Sequence, residues 1–296
     1  VAVPRGQAGP ATPVARSIWG PRGSIPGSGT DSFMRVLTYN ILEGAETSFA
    51  GHDDRFELVA QTVCESGADV VALQECTNWG KDDSRLLRKF EKAVDLRGAM
   101  VITEGFPVAI MIRRDLHIIS ASATTQGFWH GVLDVLTADD QGRQTRFLAA
   151  HLHPRNPAKK LAEIRSVLRH HHLNERTVLM GDFNTLSHLD GLVPEDLAEP
   201  TFIRHSVDGE LDFRVTEFLE ASGFVDTFIA TNPDGPLTTI PTPGAAASDF
   251  TPARMDYIFA SPMLADSVIS TRLVDNQNTR VASDHFPLLL ELQDPE

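Results

Sequence analysis

The chain has 296 residues, 42% of them hydrophobic and 22% charged, ordinary proportions for a globular protein long enough to bury a sizeable core. Its formal net charge of −14 disfavours nucleic acid as a partner unless a local basic patch overrides it. The longest apolar runs are strand-sized, too short to span a bilayer, and two cysteines make neither a zinc site nor a disulfide framework.

Residues 1–33 are rich in Pro, Gly, Ala and Ser and have no hydrophobic period. They read as a disordered arm, a remnant of a processed leader, or sequence foreign to the domain. Residues 34–296 read as one domain without repeats or linkers. "RVLTYN" (35–40) is a short strand. Phe56, Val59, Ala60, Val63 and Cys64 recur at helical spacing, with Asp53 or Asp54 to cap the start, Ser66-Gly67 to end it, and Cys64 on the apolar face. "DVVALQE" (69–75) is a buried type of strand. Leu86, Leu87, Phe90, Ala93 and Val94 mark a second helix, closed by Gly98.

"VAIMIRR", "LHIISASA" and "VLDVLTADDQGRQTRFLAAHLHP" are strand-like, the last folding back at "ADDQGR". A helix over about 158–171 precedes the strand "RTVLMGDF"; a polar loop and a helix around 213–221 follow. The strands "RMDYIFAS", "VISTRLV" and "FPLLLEL" finish the chain. Two halves that each mix strands and helices predict an α/β fold. Its expected form is a four-layer α/β/β/α sandwich of two packed mixed sheets.

Polar residues fall at the strand ends. Asn40 ends the first strand, Glu75 the second, His151 and His153 a third, and Asp182 with Asn184 a fourth. Asp256 opens "RMDYIFAS", and Asp284-His285 stand at the mouth of the last strand. Each alone is an ordinary turn or cap residue. Acid, amide and imidazole groups at six strand ends point to one convergent site, because strand ends gather at a sheet edge.

His151 and His153 share a strand face; zinc binding is conceivable there, but no thiolate or third histidine is evident nearby in sequence. Arg254 either forms a structural salt bridge or reaches a substrate phosphate. The loops 45–52 and 185–212 are expected to frame the substrate, with Arg204 and His205 as contact candidates. Arg155, Lys159, Lys160 and Arg165 read as a solvated helix face, the histidines at 170–172 as a solvated helix end, and Asp226 as a turn residue. No basic aromatic stripe for single strands is visible.

"TYNILEG", "ALQE", "AAHLHP", "MGDFN", "ARMDYIFAS" and "ASDHFPL" occur in this order. From Arg35 to Leu292 the chain resembles the endonuclease/exonuclease/phosphatase superfamily. The resemblance implies a metal site for Mg²⁺ or Mn²⁺ at Asn40 and Glu75, with Asp284 either a further ligand or an acid just behind the ligands. It also implies a catalytic imidazole, His285, oriented by Asp256. Asp182 and Asn184 would position the attacking water and the phosphate. His151 matches the phosphate-contacting histidine of the sphingomyelinase and pancreatic-deoxyribonuclease branches, with His153 secondary. The abasic-site endonuclease branch has Tyr at that place and an acid where Leu42 stands, so the chain leans away from it.

The implied activity is metal-assisted attack of water on a phosphodiester or phosphomonoester. Whether His285 or Asp182 takes the water's proton stays open. The alternatives are a deoxyribonuclease and a non-catalytic binding protein that kept the fold; the latter predicts eroded ligands, and none of these residues is missing. A small phosphoester is the expected partner, a monomer the expected state, and the cytoplasm the expected compartment, or else secretion with a leader removed.

Overall fold

The computed structural model describes residues 14–16, 33–103, 106–169, 174–233, 238–245 and 251–293. The histidines at 170–172 lie outside them, as does most of the segment 1–33.

In chain order the elements are β1 (Val14–Arg16), β2 (Phe33–Asn40), α1 (Phe56–Ser66), β3 (Val70–Gln74), α2 (Lys81–Val94), β4 (Leu96–Val101), β5 (Val108–Arg113), β6 (His117–Thr124), β7 (Val132–Ala138), β8 (Gln144–His151), α3 (Pro157–Leu168) and β9 (Thr177–Asp182). There follow α4 (Glu199–His205), β10 (Ser206–Val207), β11 (Glu210–Leu211), α5 (Arg214–Ala221), β12 (Val225–Asp226), α6 (Thr227–Thr231), β13 (Asp256–Ala260), α7 (Pro262–Ala265), β14 (Val268–Leu273), α8 (Thr279–Ala282) and β15 (Leu288–Gln293). A seven-stranded sheet has the order β1-β4-β5-β3-β2-β15-β14, and a six-stranded sheet the order β12-β13-β9-β8-β7-β6.

Strand alternation builds the layers, because successive side chains point to opposite faces. Val36, Val70, Ala72 and Ile110 from one sheet meet Phe147, Ala149, Val178, Met180 and Ile258 from the other in a shared core. Their neighbours Leu37, Tyr39, Val71 and Leu73 turn outward onto Phe56, Val59 and Val63 of α1 and Phe90 of α2. Leu148, Leu179, Tyr257 and Phe259 turn outward onto Leu161 and Ile164 of α3 and Val215 and Leu219 of α5. The expected four-layer sandwich is the observed fold.

Several local expectations change. Helix α2 stops at Val94, with Asp95 in the left-handed region at φ 53°. Gly98 lies inside β4 instead, where an added Cβ would stand 2.7 Å from Leu87 Cδ1; α2 packs directly on that bare backbone. Cys64 is exposed, because the buried face of α1 runs through Phe56, Val59, Ala60, Thr62, Val63 and Ser66. The polar loop before α5 contains α4 and a small hairpin. Within the segment taken as an arm, Val14–Arg16 pairs antiparallel with β4, and Phe33 already belongs to β2.

Two parallel pairings place the polar strand ends together. β2 runs parallel to β3, and β8 parallel to β9. Asn40 lies opposite Gln74, the residue before Glu75. His151 lies opposite Asp182, and Asp182 opposite Asp256. Three candidate residues therefore stand in one row across the six-stranded sheet.

Candidate active site

The backbone at this edge is held in demanding conformations. Gly181 has φ 144°, and a Cβ there would lie 1.8 Å from the Ala150 carbonyl oxygen, so only glycine lets β9 approach β8 beside Asp182. Glu75 (φ 62°) and Asn184 (φ 48°) are left-handed. Asparagine tolerates that region, but a glutamate there is strained by about 1–3 kcal/mol. The surroundings hold it: Glu75 Oε2 accepts from the Glu43 N–H at 3.0 Å, and Oε1 from Asn40 Nδ2 at 3.3 Å.

Arg55 is fully buried and ties two site-bearing segments together. Its guanidinium donates to the carbonyls of Ile41 (3.1 Å), Leu42 (2.6 Å) and Ala282. Ser283 Oγ donates to the Asn40 carbonyl at 2.7 Å, and the Thr242 N–H donates to the Asp284 carbonyl at 3.0 Å. The "SDH" turn is thereby fixed against the end of β2.

Side chains converge on Asp182. Its Oδ2 accepts from Asn40 Nδ2 at 3.1 Å and lies 3.3 Å from His151 Nε2 and 3.9 Å from His285 Nε2. Its Oδ1 accepts from the Asn184 N–H at 2.9 Å, and Asn184 Nδ2 is held by the Leu152 carbonyl at 3.2 Å. His285 Nδ1 is 2.8 Å from Asp256 Oδ2. Glu75, His151, Asp182, Asn184, Asp284 and His285 all line one cavity of about 460 Å³.

Electrostatics separate these groups. Burial lowers the basicity of His285, but Asp256, Asp284 and Asp182 outweigh it and hold the imidazole well above its ordinary pKa. Burial acts on His151 in the same way, and the Asp182 carboxylate overcomes it. For Asp182, burial works against ionisation; the two imidazoles and the Asn184 N–H prevail and keep the carboxylate ionised. The Asp182 carboxylate thus favours the protonated form of both imidazoles that face it.

The chain matches the model of the Endonuclease/Exonuclease/phosphatase family over residues 37–285. It belongs to that family. No curated protein matches it. Among solved structures it is similar to a humanized D. rerio TDP2 with 14 mutations, at 16% identity and TM-score 0.62 over 88% of this chain and 99% of that one. An AP endonuclease from Archaeoglobus fulgidus aligns at 16% identity and TM-score 0.61 over 87% and 98%. An endonuclease/exonuclease/phosphatase from Beutenbergia cavernae aligns at 18% and 0.63 over 88% and 71%. Members of the family are hydrolases acting on phosphate ester bonds, generally with a divalent metal, and this chain is such an enzyme.

The donor set fits the metal chemistry of the family. Glu75, Asp284 and Asp182 offer carboxylate oxygens to the cavity, the hard ligands that Mg²⁺ and Mn²⁺ prefer. Asn40 is 1% exposed, and its Oδ1 accepts from the Leu42 N–H at 3.1 Å while its Nδ2 serves Glu75 and Asp182. It orients carboxylates more than it offers a free ligand atom. Asp182, Asp256 and His285 also lie close enough to share an ion. A cation there would compete with the His285–Asp256 bond, whereas Glu75 and Asp284 line the same cavity without taking part in it.

The other sequence candidates divide. His153, Arg204 and His205 line the cavity. Arg254 does not join them: it is fully buried, with Nη1 2.6 Å from Asp226 Oδ2 and Nη2 2.8 Å from Asp190 Oδ1. Asp226 also caps α6 by accepting from the Phe228 N–H at 3.1 Å. None of the residues 45–52 lines the cavity, whereas Thr201, Arg204 and His205 of α4 do. Lys160 is not on a solvated face; it is 2% exposed, with Nζ 3.2 Å from His205 Nδ1.

Sequence reasoning passed over Phe106, Trp129 and His130, which form one wall of the cavity. "GFWHG" (127–131) lies between two strands. Two aromatic rings and an imidazole in a connection that polar residues normally fill were the available signal.

Proposed function

We propose that the chain hydrolyses a small phosphodiester or phosphomonoester by metal-assisted attack of water. One observation carries this reading: His285, bonded to the buried Asp256, faces the same cavity as Asp182, Asn184 and Glu75. His285 bonds Asp256 through Nδ1 and turns Nε2 toward Asp182 and the cavity, so its imidazolium can donate to a phosphoryl oxygen and stabilise charge there. Asp182, ionised and aimed at the same space, is the group placed to orient water and accept its proton. Asn184, pinned through one amide N–H to Leu152, offers the other to the phosphate. A divalent ion held by Glu75 and Asp284, when bound, supplies charge neutralisation and alignment.

A second reading is a short single-stranded nucleic acid end. Trp129 is 56% exposed, its ring lies 4.8 Å from that of His153, and Lys159 Nζ stands 5.5 Å from the indole. An aromatic platform with a cation suits base stacking beside a phosphate. The D. rerio TDP2 fold relative has been solved with a single-strand DNA product.

The test is purified protein with Mg²⁺ or Mn²⁺ against bis-nitrophenyl phosphate, nitrophenyl phosphate, plasmid DNA and phospholipid. Diester hydrolysis lost on chelation is expected. Hydrolysis undiminished by exhaustive chelation would remove the mechanism.

A further inference from the structure

His130 lies two residues before β7, is 1% exposed, and still lines the cavity. Its ring stacks on His151, with centroids 4.1 Å apart and planes 18° from parallel. The Phe106 N–H points at His130 Nδ1, at 3.4 Å. That contact makes Nδ1 the acceptor, so in the neutral ring the proton sits on Nε2. Nε2 is buried and has no hydrogen-bond partner among the described residues. A buried donor without a partner costs free energy, and such groups in folded proteins call for an explanation.

The surroundings hold this donor in place. Glu163 of α3 accepts from the N–H groups of both Trp129 and His153, at 2.7 Å each. The segment carrying His130 is thus clamped to the segment just after His151. Burial first, then the neighbouring His151, push the His130 pKa down to about 2. The ring is neutral at any working pH, and its N–H is a fixed dipole rather than a titrating charge.

We propose that His130 Nε2–H donates a hydrogen bond to an oxygen of the phosphoryl group bound beside His151, making it a further residue of the reaction centre. This rests on the phosphoesterase reading above. A neutral donor adds stabilisation to phosphoryl oxygens without burying a further positive charge. The stack also sets where that donor points, because it fixes the two ring planes together.

Two variants separate donor from packing. His130→Phe keeps a flat ring against His151 and removes the N–H. His130→Gln loses the ring and keeps an amide N–H at similar reach. With full-length protein and Mn²⁺, His130→Phe is expected to lower kcat for bis-nitrophenyl phosphate on the order of 100-fold, as loss of a preorganised donor does. Inorganic phosphate, followed by titration calorimetry, is expected to bind about 10-fold more weakly. His130→Gln is expected to recover most of both losses, and the Mn²⁺ concentration for half-activation should stay unchanged in both.

Full activity in His130→Phe, or equal loss in both variants, overturns the proposal in favour of packing alone. A parent protein that hydrolyses nothing would remove the phosphoesterase reading; the phosphate titrations would still decide for or against the donor.

Discussion

Lys160 carries an ammonium into a wall behind the cavity, and its stability effect has a definite sign. Burial lowers its pKa from 10.5 to about 7, with Asp182 and Asp212 opposing the shift in part. Between pH about 7 and 10.5 the unfolded chain holds a proton that the folded chain has released. Stability therefore rises with pH through that window, and the full cost is present below it. Lys160→Met is expected to be more stable than the parent by about 1–4 kcal/mol at pH 6, as apolar replacements of buried charge often are. The gain should shrink toward pH 10. Urea unfolding of both proteins at pH 6 and 9.5 checks this, and an equal gap at both would assign the titration elsewhere. His285 and Glu75 are expected to separate chemistry from metal binding. His285→Ala should cut kcat by about 10²–10⁴-fold with its fold retained. Glu75→Gln should mainly raise the Mg²⁺ or Mn²⁺ concentration for half-activation. Loss of metal response in His285→Ala alone would reverse these roles.

At the level of elements, Arg254 links the entry to β13 with α6 and the helical turn at His188–Asp190. Its guanidinium lies 4.4 Å from the Tyr257 ring centroid and pairs with Asp190 and Asp226 in a fully buried position. Arg254→Met leaves two buried carboxylates uncompensated, and a cost of about 3–5 kcal/mol is expected, with kcat/KM unchanged well below the melting temperature. Thermal unfolding with kinetics at low temperature checks both halves; weaker substrate binding at unchanged Tm would return Arg254 to the substrate. The sequence left these two roles open because spacing places Arg254 and Asp256 on one strand face but does not say how deep that face lies. Elements with clear periodicity, such as α1 and the paired runs of β7 and β8, were legible for the opposite reason: alternation and helical spacing record burial directly. β4 was not, since Gly98 looked like a stop signal when its role is to let α2 approach. α4 was hidden in a polar stretch because its buried residues, Thr201 and His205, are not apolar. The site's strand-end residues could be found from their positions, whereas His130 and Lys160 depend on packing between segments distant in the chain.

For the whole molecule, a net charge of −14 is set against a small cationic rim at the cavity. Arg155 and Arg204 line it, and Lys159 stands over Trp129 at its edge. Lys160 is buried behind it and Arg254 is committed elsewhere, so among the described residues the local patch comes to about three cations. Neutralising about three phosphates of a single strand gives a salt slope of about −2 in log–log form, whereas a duplex reader with six or more contacts loses about 10³-fold between 50 and 200 mM salt. Cleavage of bis-nitrophenyl phosphate is expected to be nearly flat across that range. A short single strand should weaken with the shallow slope, and plasmid DNA should be a poor substrate once salt screens the rim. Measuring kcat/KM for all three across one salt series decides among them. Efficient plasmid cleavage at about 150 mM salt with a steep slope would mean that the loops around the rim gather more cations than Arg155, Arg204 and Lys159, and the duplex-nuclease reading would replace the small-substrate one.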